Sequence, residues 1–177
     1  MTQLVTEKEQ QEAVSALEEL ISVPSYNQAA EDGAPFGRGI RNALDKMMEI
    51  CERLGFKTYE DPDGYYGYAE VGEGDKIFGV ICHLDTVPAG DPKAWEHDPF
   101  KETVVNDAVY GRGSQDDKGP GIAALFAVKG LMDDGYKFNQ RIRFIYGTDE
   151  EILWRGIAQY NKKVKSIAGS PLMRNFH

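Results

Sequence analysis

Apolar side chains recur along the chain at two spacings, one typical of helices and one typical of strands. Repeats of three to four positions predict four helices, which cover residues 6–21, 40–54, 119–134 and about 151–162. Thr6 and Glu9 form the capping-box motif that starts the first helix. Gly55 and Gly135 stand where the second and third helices should end.

Shorter runs predict the strands, at residues 56–59, 65–71, 77–82, 102–105, 108–110 and 140–146. Residues 61–64, Asp-Pro-Asp-Gly, are a strong turn signal between the first two strands. The continuous apolar run 77–82 predicts a strand that is buried on both faces. Because strands alternate with helices, we expect an α/β fold with a mixed, largely parallel sheet between helices.

The composition excludes several classes of partner. The chain has 29 acidic and 20 basic residues and a net charge of −9, which argues against a nucleic-acid partner. No apolar stretch is long enough to cross a membrane, and no secretory signal opens the chain. Two cysteines, Cys51 and Cys82, make no disulfide framework. We expect a cytoplasmic protein without a membrane partner, and the composition leaves its oligomeric state open.

Candidate chemistry lies just past three predicted strand or hairpin ends, where ligands bind in open α/β sheets. There the sequence places one imidazole, that of His83, and six carboxylates, those of Asp85, Asp116, Asp117, Asp149, Glu150 and Glu151. Carboxylates packed closely would repel one another and their pKa values would rise, unless a cation is bound among them. Imidazole and carboxylate ligands suit Zn²⁺, and also Mn²⁺ or Co²⁺.

The spacing indicates roles within these clusters. His83 and Asp85 are two residues apart and point the same way in an extended chain, so Asp85 can orient the imidazole. Glu150 and Glu151 are adjacent and diverge, so that one can bind metal while the other acts as a general base. Each motif also has an ordinary structural interpretation, as a buried His–Asp pair, a turn before a helix or a solvated helix start.

Two further residues are less promising. His97, between Glu96 and Asp98, is interpreted as a surface residue. Cys82, next to His83, is interpreted as a small buried hydrophobe and not as a nucleophile.

Three motifs in one order carry a family resemblance. They are HLDTVPAG from His83, GRGSQDDKGP from Gly111 and GTDEE from Gly147. Together they resemble the co-catalytic zinc peptidase family that includes acetylornithine deacetylase, succinyl-diaminopimelate desuccinylase, carnosinases and bacterial dipeptidases, and within it the dipeptidases of the PepV type. The likeness runs from about residue 4 to about residue 165. It implies the N-terminal part of a di-zinc catalytic domain, without the lid domain.

The resemblance also implies roles for single residues. His83 would bind one zinc ion, with Asp85 orienting it, and Asp116 would bridge two ions. The peptide bond after Asp116 is expected to be cis. Glu151 would bind the other zinc, and Glu150 would be the general base that activates a metal-bridging water. The implied cofactors are two Zn²⁺, with Mn²⁺ or Co²⁺ as substitutes. The implied partner is a short peptide substrate, in particular a dipeptide.

The family pattern breaks near the end of the chain. It requires an acid about twenty residues after the Glu–Glu pair and a distant His, whereas no acidic residue follows Glu151 here. We therefore divide the chain into residues 1–168, the N-terminal part of the catalytic domain, and residues 169–177, an aberrant tail. We hypothesise that a single-base deletion produced this tail by a frameshift.

With an incomplete metal site, the chain is expected to have little or no peptidase activity. Two alternatives remain open. One is a non-catalytic fragment that binds a single metal ion or a partner protein. The other is a relative that cleaves N-acyl amino acids.

Overall fold

Helices and strands follow one another in the order that the sequence predicts. The computed structural model describes residues 5–101 and 103–168. Its helices are α1 (Glu7–Ile21), α2 (Arg38–Arg53), α3 (Lys118–Asp133) and α4 (Arg155–Ala168), with a short 3-10 turn at Pro92–Ala94. Its strands are β1 (Lys57–Glu60), β2 (Tyr66–Val71), β3 (Ile77–His83), β4 (Thr103–Val105), β5 (Ala108–Tyr110) and β6 (Arg141–Gly147).

Local sequence signals fix several of these boundaries. The Thr6 hydroxyl accepts a hydrogen bond from the backbone of Glu9, whose carboxylate accepts one from the backbone of Thr6, so the capping box is formed. Gly55 follows α2 with a φ of 89°, a conformation that favours glycine. The fourth helix begins at Arg155 and not near 151, because the preceding residues form a turn in which the amides of Leu153 and Trp154 donate to the Asp149 carbonyl.

The main sheet has four strands in the order β1-β2-β6-β3. β1 pairs antiparallel with β2, β2 pairs antiparallel with β6, and β3 pairs parallel with β6. The expectation of a mixed sheet is confirmed, but only one of these three pairings is parallel. The tight turn after β1 accounts for the first antiparallel pairing, because such a turn can join only antiparallel neighbours. β4 and β5 form a separate hairpin.

The sheet separates two apolar layers. On one face, α1, α2 and α3 pack against alternate residues of the strands, including Ala69, Cys82, Phe144 and Tyr146. On the other face, α4 places Ile157 and Tyr160 against Tyr66 and Ile145. This alternation is what a pleated strand with two buried faces produces, and it confirms the α/β arrangement with the sheet between helices.

One expectation about the sheet is wrong. The run 77–82 is not buried on both faces along its length, since Phe78 is 56% exposed and Gly79 is exposed. The reason is that β3 is an edge strand of the described sheet, and it is buried only at its end, at Cys82 and His83. The tail 169–177 lies outside the described residues. No helix in the part of the chain that the structure describes is both long and apolar enough to cross a membrane.

Candidate metal and catalytic site

The candidate site lies where two parallel strands end together. His83, the last residue of β3, pairs in register with Gly147, the last residue of β6. Parallel neighbours end at the same edge of a sheet, so the residues after both strands leave at one place. Asp116 approaches this edge from the turn before α3, and its amide carbonyl begins the cis peptide bond to Asp117 that the resemblance implies.

His83 is buried and its two ring nitrogens face different surroundings. Nδ1 lies 2.9 Å from the Asp85 carbonyl oxygen, to which it can only donate. Nε2 lies 2.9 Å from an Asp116 carboxylate oxygen and 3.8 Å from a Glu150 carboxylate oxygen. Burial alone would lower the pKa of His83, but the carboxylates of Asp85 and Asp116 raise it to about 9.

Asp85 connects His83 to the loop after β6. Its carboxylate is 2% exposed and accepts hydrogen bonds from the backbone amides of Glu150 and Glu151, each at 3.0 Å. One carboxylate oxygen lies 3.6 Å from Nδ1 of His83, farther than the carbonyl oxygen of the same residue. Asp85 therefore contacts the imidazole mainly through its backbone, while its side chain holds the Glu150–Glu151 backbone in place.

The six carboxylates have different partners. Asp149 is buried and pairs with the Arg155 guanidinium through two hydrogen bonds, at 2.7 and 2.9 Å, so it closes the turn before α4. Asp117 accepts a hydrogen bond from the backbone amide of His83 at 3.2 Å, and burial raises its pKa. The carboxylates of Asp116 and Glu150 lie near Nε2 of His83, and Glu151 is close enough to both for their charges to act on it.

Glu151 shows the effect of this concentration of acids. Burial raises the pKa of its carboxyl group, and the charges of Asp116, Glu150 and Asp85 raise it further, against the opposing effect of His83. A cation among these groups would relieve the repulsion.

The donor set fits a divalent metal ion. One imidazole nitrogen and the carboxylate oxygens of Asp116, Glu150 and Glu151 are the ligand types that Zn²⁺, Mn²⁺ and Co²⁺ accept. Within residues 5–101 and 103–168, no three His, Cys, Asp or Glu side chains are gathered closely enough to form a complete ligand cluster. The described residues therefore offer partial coordination that needs side-chain adjustment or further ligands.

The sequence did not single out Ser25 and Lys118, although both are fully buried beside the site. The Lys118 ammonium donates to the backbone carbonyls of Leu20 and Val23, and burial lowers its pKa to about 7. Ser25 has no sequence signal, because a serine after a proline is ordinarily exposed. Lys118 lies within the motif GRGSQDDKGP, which is its one signal, since a lysine at a helix start is ordinarily exposed.

The two less promising residues have ordinary environments. Burial raises the pKa of the Cys82 thiol to about 12, which leaves it an unreactive hydrophobic side chain. His97 is half-buried, and its ring packs against that of Tyr110 in a T-shaped arrangement with ring centroids 4.7 Å apart.

An open cavity of about 630 Å³ adjoins Asp116. It is lined mainly by the β5–α3 connection, with Trp95 on one side and Arg112 beside it. This volume is within the range of small-molecule sites.

Comparison with known proteins gives consistent results. A sequence profile described as "Peptidase family M20/M25/M40" matches residues 79–170. A Staphylococcus haemolyticus protein named "Putative dipeptidase SH1171" is 46% identical over 149 residues, which are 83% of this chain and 31% of that protein. The chain thus spans about a third of the length of this curated relative.

Two solved structures are similar in fold. Human carnosine dipeptidase 1 superposes with a TM-score of 0.74 at 23% identity, over 90% of this chain and 36% of that one. An M20 family metallo-carboxypeptidase from Sulfolobus solfataricus, Sso-CP2, superposes with a TM-score of 0.72 at 28% identity, over 89% of this chain and 35% of that one.

Proposed function

The chain belongs to peptidase family M20/M25/M40, and we propose that it supplies the metal-binding and general-base residues of a dipeptidase. The observation that carries this proposal is the convergence on His83 Nε2 of carboxylates from two other segments, Asp116 and Glu150. The name of the Staphylococcus haemolyticus relative supports the substrate class. The cavity of about 630 Å³ beside Asp116 has room for a short peptide.

We infer that His83, Asp116 and Glu151 hold divalent metal, with Zn²⁺ as the natural ion and Mn²⁺ or Co²⁺ as substitutes. When bound, the metal would polarise the peptide carbonyl and lower the pKa of a water molecule. Nδ1 of His83 is already engaged by the Asp85 carbonyl, which leaves Nε2 as the coordinating nitrogen.

Glu150 is the proposed general base. Its carboxylate lies 3.8 Å from Nε2 of His83, on the open side of the site, while its backbone amide is fixed by Asp85. In peptide hydrolysis, Glu150 would accept a proton from the attacking water and pass it to the nitrogen of the leaving amine. The proton is thus moved by one carboxylate in both halves of the reaction.

Metal binding by the 177-residue chain tests this proposal directly. We expect added Co²⁺ to give visible absorption bands, which Zn²⁺ displaces and which His83→Ala abolishes. His97→Ala is the matched control, because the ring of His97 packs against Tyr110 of the separate β4–β5 hairpin. Absence of Co²⁺ bands, or equal loss in both variants, would show that these residues do not form the metal site.

A second candidate function is a non-catalytic fragment, which the incomplete ligand cluster favours. The family resemblance implies two ligands beyond those in this sequence, so we expect little or no dipeptide turnover by the chain alone. Assays with Zn²⁺, Mn²⁺ and Co²⁺ decide between the two. Turnover that disappears in Glu150→Ala would exclude the non-catalytic alternative.

A further inference from the structure

Two loops of the candidate site are linked through the residues that follow α1. One loop, residues 84–86, follows β3 and contains Asp85. The other, residues 114–117, precedes α3 and contains Asp116. The segment 20–25, which includes the end of α1, is bonded to the first loop and to Lys118, the residue directly after the second loop, by hydrogen bonds.

Ser25 holds the first loop on both sides of Asp85. Its hydroxyl donates to the Leu84 carbonyl at 2.7 Å, and its own carbonyl accepts from the Thr86 amide at 2.9 Å. Ser25 is fully buried, so water cannot replace either bond. The position of the Asp85 backbone therefore depends on where Ser25 lies.

Lys118, the first residue of α3, holds the same segment from the position directly after the other loop. It stands two residues after Asp116, and its ammonium donates to the carbonyls of Leu20 and Val23 at 2.8 and 2.9 Å. No carboxylate lies within ion-pair distance of this ammonium among the described residues, so the backbone carbonyls are its partners. A buried ammonium is costly for the fold, which makes a purely stabilising role a poor explanation for it.

The link continues from Asp85 to the proposed general base. The Asp85 carboxylate binds the amides of Glu150 and Glu151, and its carbonyl lies 2.9 Å from Nδ1 of His83. A shift at Ser25 would thus move His83 and the Glu150 backbone together.

We propose that residues 20–25 form a brace between the two loops, with Ser25 and Lys118 as positioning residues for the proposed metal ligands and general base. The inference rests on the proposed function only in taking these loops as the reaction centre. The brace itself is a property of the metal-free chain.

Amide hydrogen exchange in the metal-free chain tests the brace. Ser25→Ala and Lys118→Met are each expected to speed exchange at Glu150 and Glu151 by about tenfold, the effect of losing one hydrogen bond. Slow amides in α2, such as that of Leu44, should keep their rates and so exclude general unfolding. Unchanged exchange at Glu150 and Glu151 in either variant would overturn the proposal.

Two matched controls carry the same substitutions away from the brace bonds. Ser15 is an exposed serine on α1 outside residues 20–25, so Ser15→Ala makes the same substitution away from the brace. Lys129 pairs with Asp133 near the far end of α3, so Lys129→Met removes a lysine from the same helix. Both controls should leave exchange at Glu150 and Glu151 unchanged, and acceleration equal to that in Ser25→Ala would overturn the brace.

Metal affinity gives a second readout. If the chain binds Co²⁺ as proposed, Ser25→Ala and Lys118→Met should each weaken binding by about tenfold or more, as loss of residues that support metal ligands does. Weaker Co²⁺ binding in both controls to the same degree would overturn the proposal. A chain that binds no Co²⁺ contradicts the proposed function, while hydrogen exchange still decides the brace.

Discussion

At the scale of single residues, surroundings alter the acid–base chemistry of the site. The Lys118 ammonium is 1% exposed, and burial lowers its pKa from 10.5 to about 7. The unfolded chain therefore binds a proton at this lysine between pH 7 and 10.5, where the folded chain does not. This group therefore makes the free energy of unfolding larger as the pH rises across that window. Its contribution becomes smaller again as the pH falls towards 7.

This sign leads to a prediction about Lys118→Met. The free energy of unfolding of the unaltered chain minus that of the variant should increase between pH 7 and pH 10, by at most about 1.4 kcal/mol per pH unit. Urea denaturation of both proteins at several pH values measures the difference, in which the titration of distant groups cancels. A difference that stays constant or falls with pH would contradict the lowered pKa.

The sequence predicted part of this residue-level picture. His83, Asp85, Asp116, Glu150 and Glu151 were named from their motifs, and their roles stay predictions. Other contacts could not be predicted from the sequence pattern, because they join segments that are distant along the chain. The Ser25 hydroxyl bond to Leu84 is such a case, and so is the Lys118 contact with the end of α1.

At the scale of elements, α4 is the one described helix on its face of the sheet. Ile157 is 6% exposed and packs with Tyr66, Ile145 and Tyr160. The Tyr160 hydroxyl accepts a hydrogen bond from Arg143, which also pairs with Glu70. Apolar packing and this polar contact together fix α4 against β2 and β6.

We predict that Ile157→Ala lowers the free energy of unfolding by about 2–5 kcal/mol, because it leaves a cavity between α4 and the sheet. Ile152→Ala is the control, since Ile152 is 52% exposed and its truncation should change stability by less than about 0.5 kcal/mol. Urea denaturation measures both. Equal effects of the two substitutions would show that α4 does not pack as described.

Element types were predicted well from apolar spacing, and strand pairing less well. The helices and strands occur within two residues of their predicted bounds, except for α4, which covers Arg155–Ala168 and not about 151–162. Periodicity could not show which strand pairs are parallel, because parallel and antiparallel strands in a covered sheet are both apolar. The β3–β6 pair is parallel and the β2–β6 pair is antiparallel. The exposure of Phe78 was missed because an apolar run does not reveal whether its strand lies at an edge.

At the scale of the whole molecule, large apolar side chains remain exposed next to the candidate site and along one sheet edge. Leu153 and Ile152, just after Glu151, are 68% and 52% exposed, and Phe78 on the edge strand β3 is 56% exposed. An exposed apolar edge strand favours association between chains.

We therefore predict that the 177-residue chain self-associates at high micromolar concentration. The double substitution Phe78→Ser and Leu153→Ser should reduce this association, because it removes exposed apolar area without changing the core. Sedimentation velocity over a concentration series measures the effect. A monodisperse unaltered chain would contradict the prediction.

The hydrogen bonds that the Asp85 carboxylate accepts come from the backbone amides of residues 150 and 151 and make no use of their side chains. The loop is therefore held in the same way whatever amino acid stands at either position, provided that it keeps an amide hydrogen. Substitution of Glu150 by alanine or glutamine can remove its chemistry and leave its anchorage intact, whereas proline there would break the anchorage. Over evolutionary time, the reactivity of this loop could change one residue at a time without the loop having to be rebuilt.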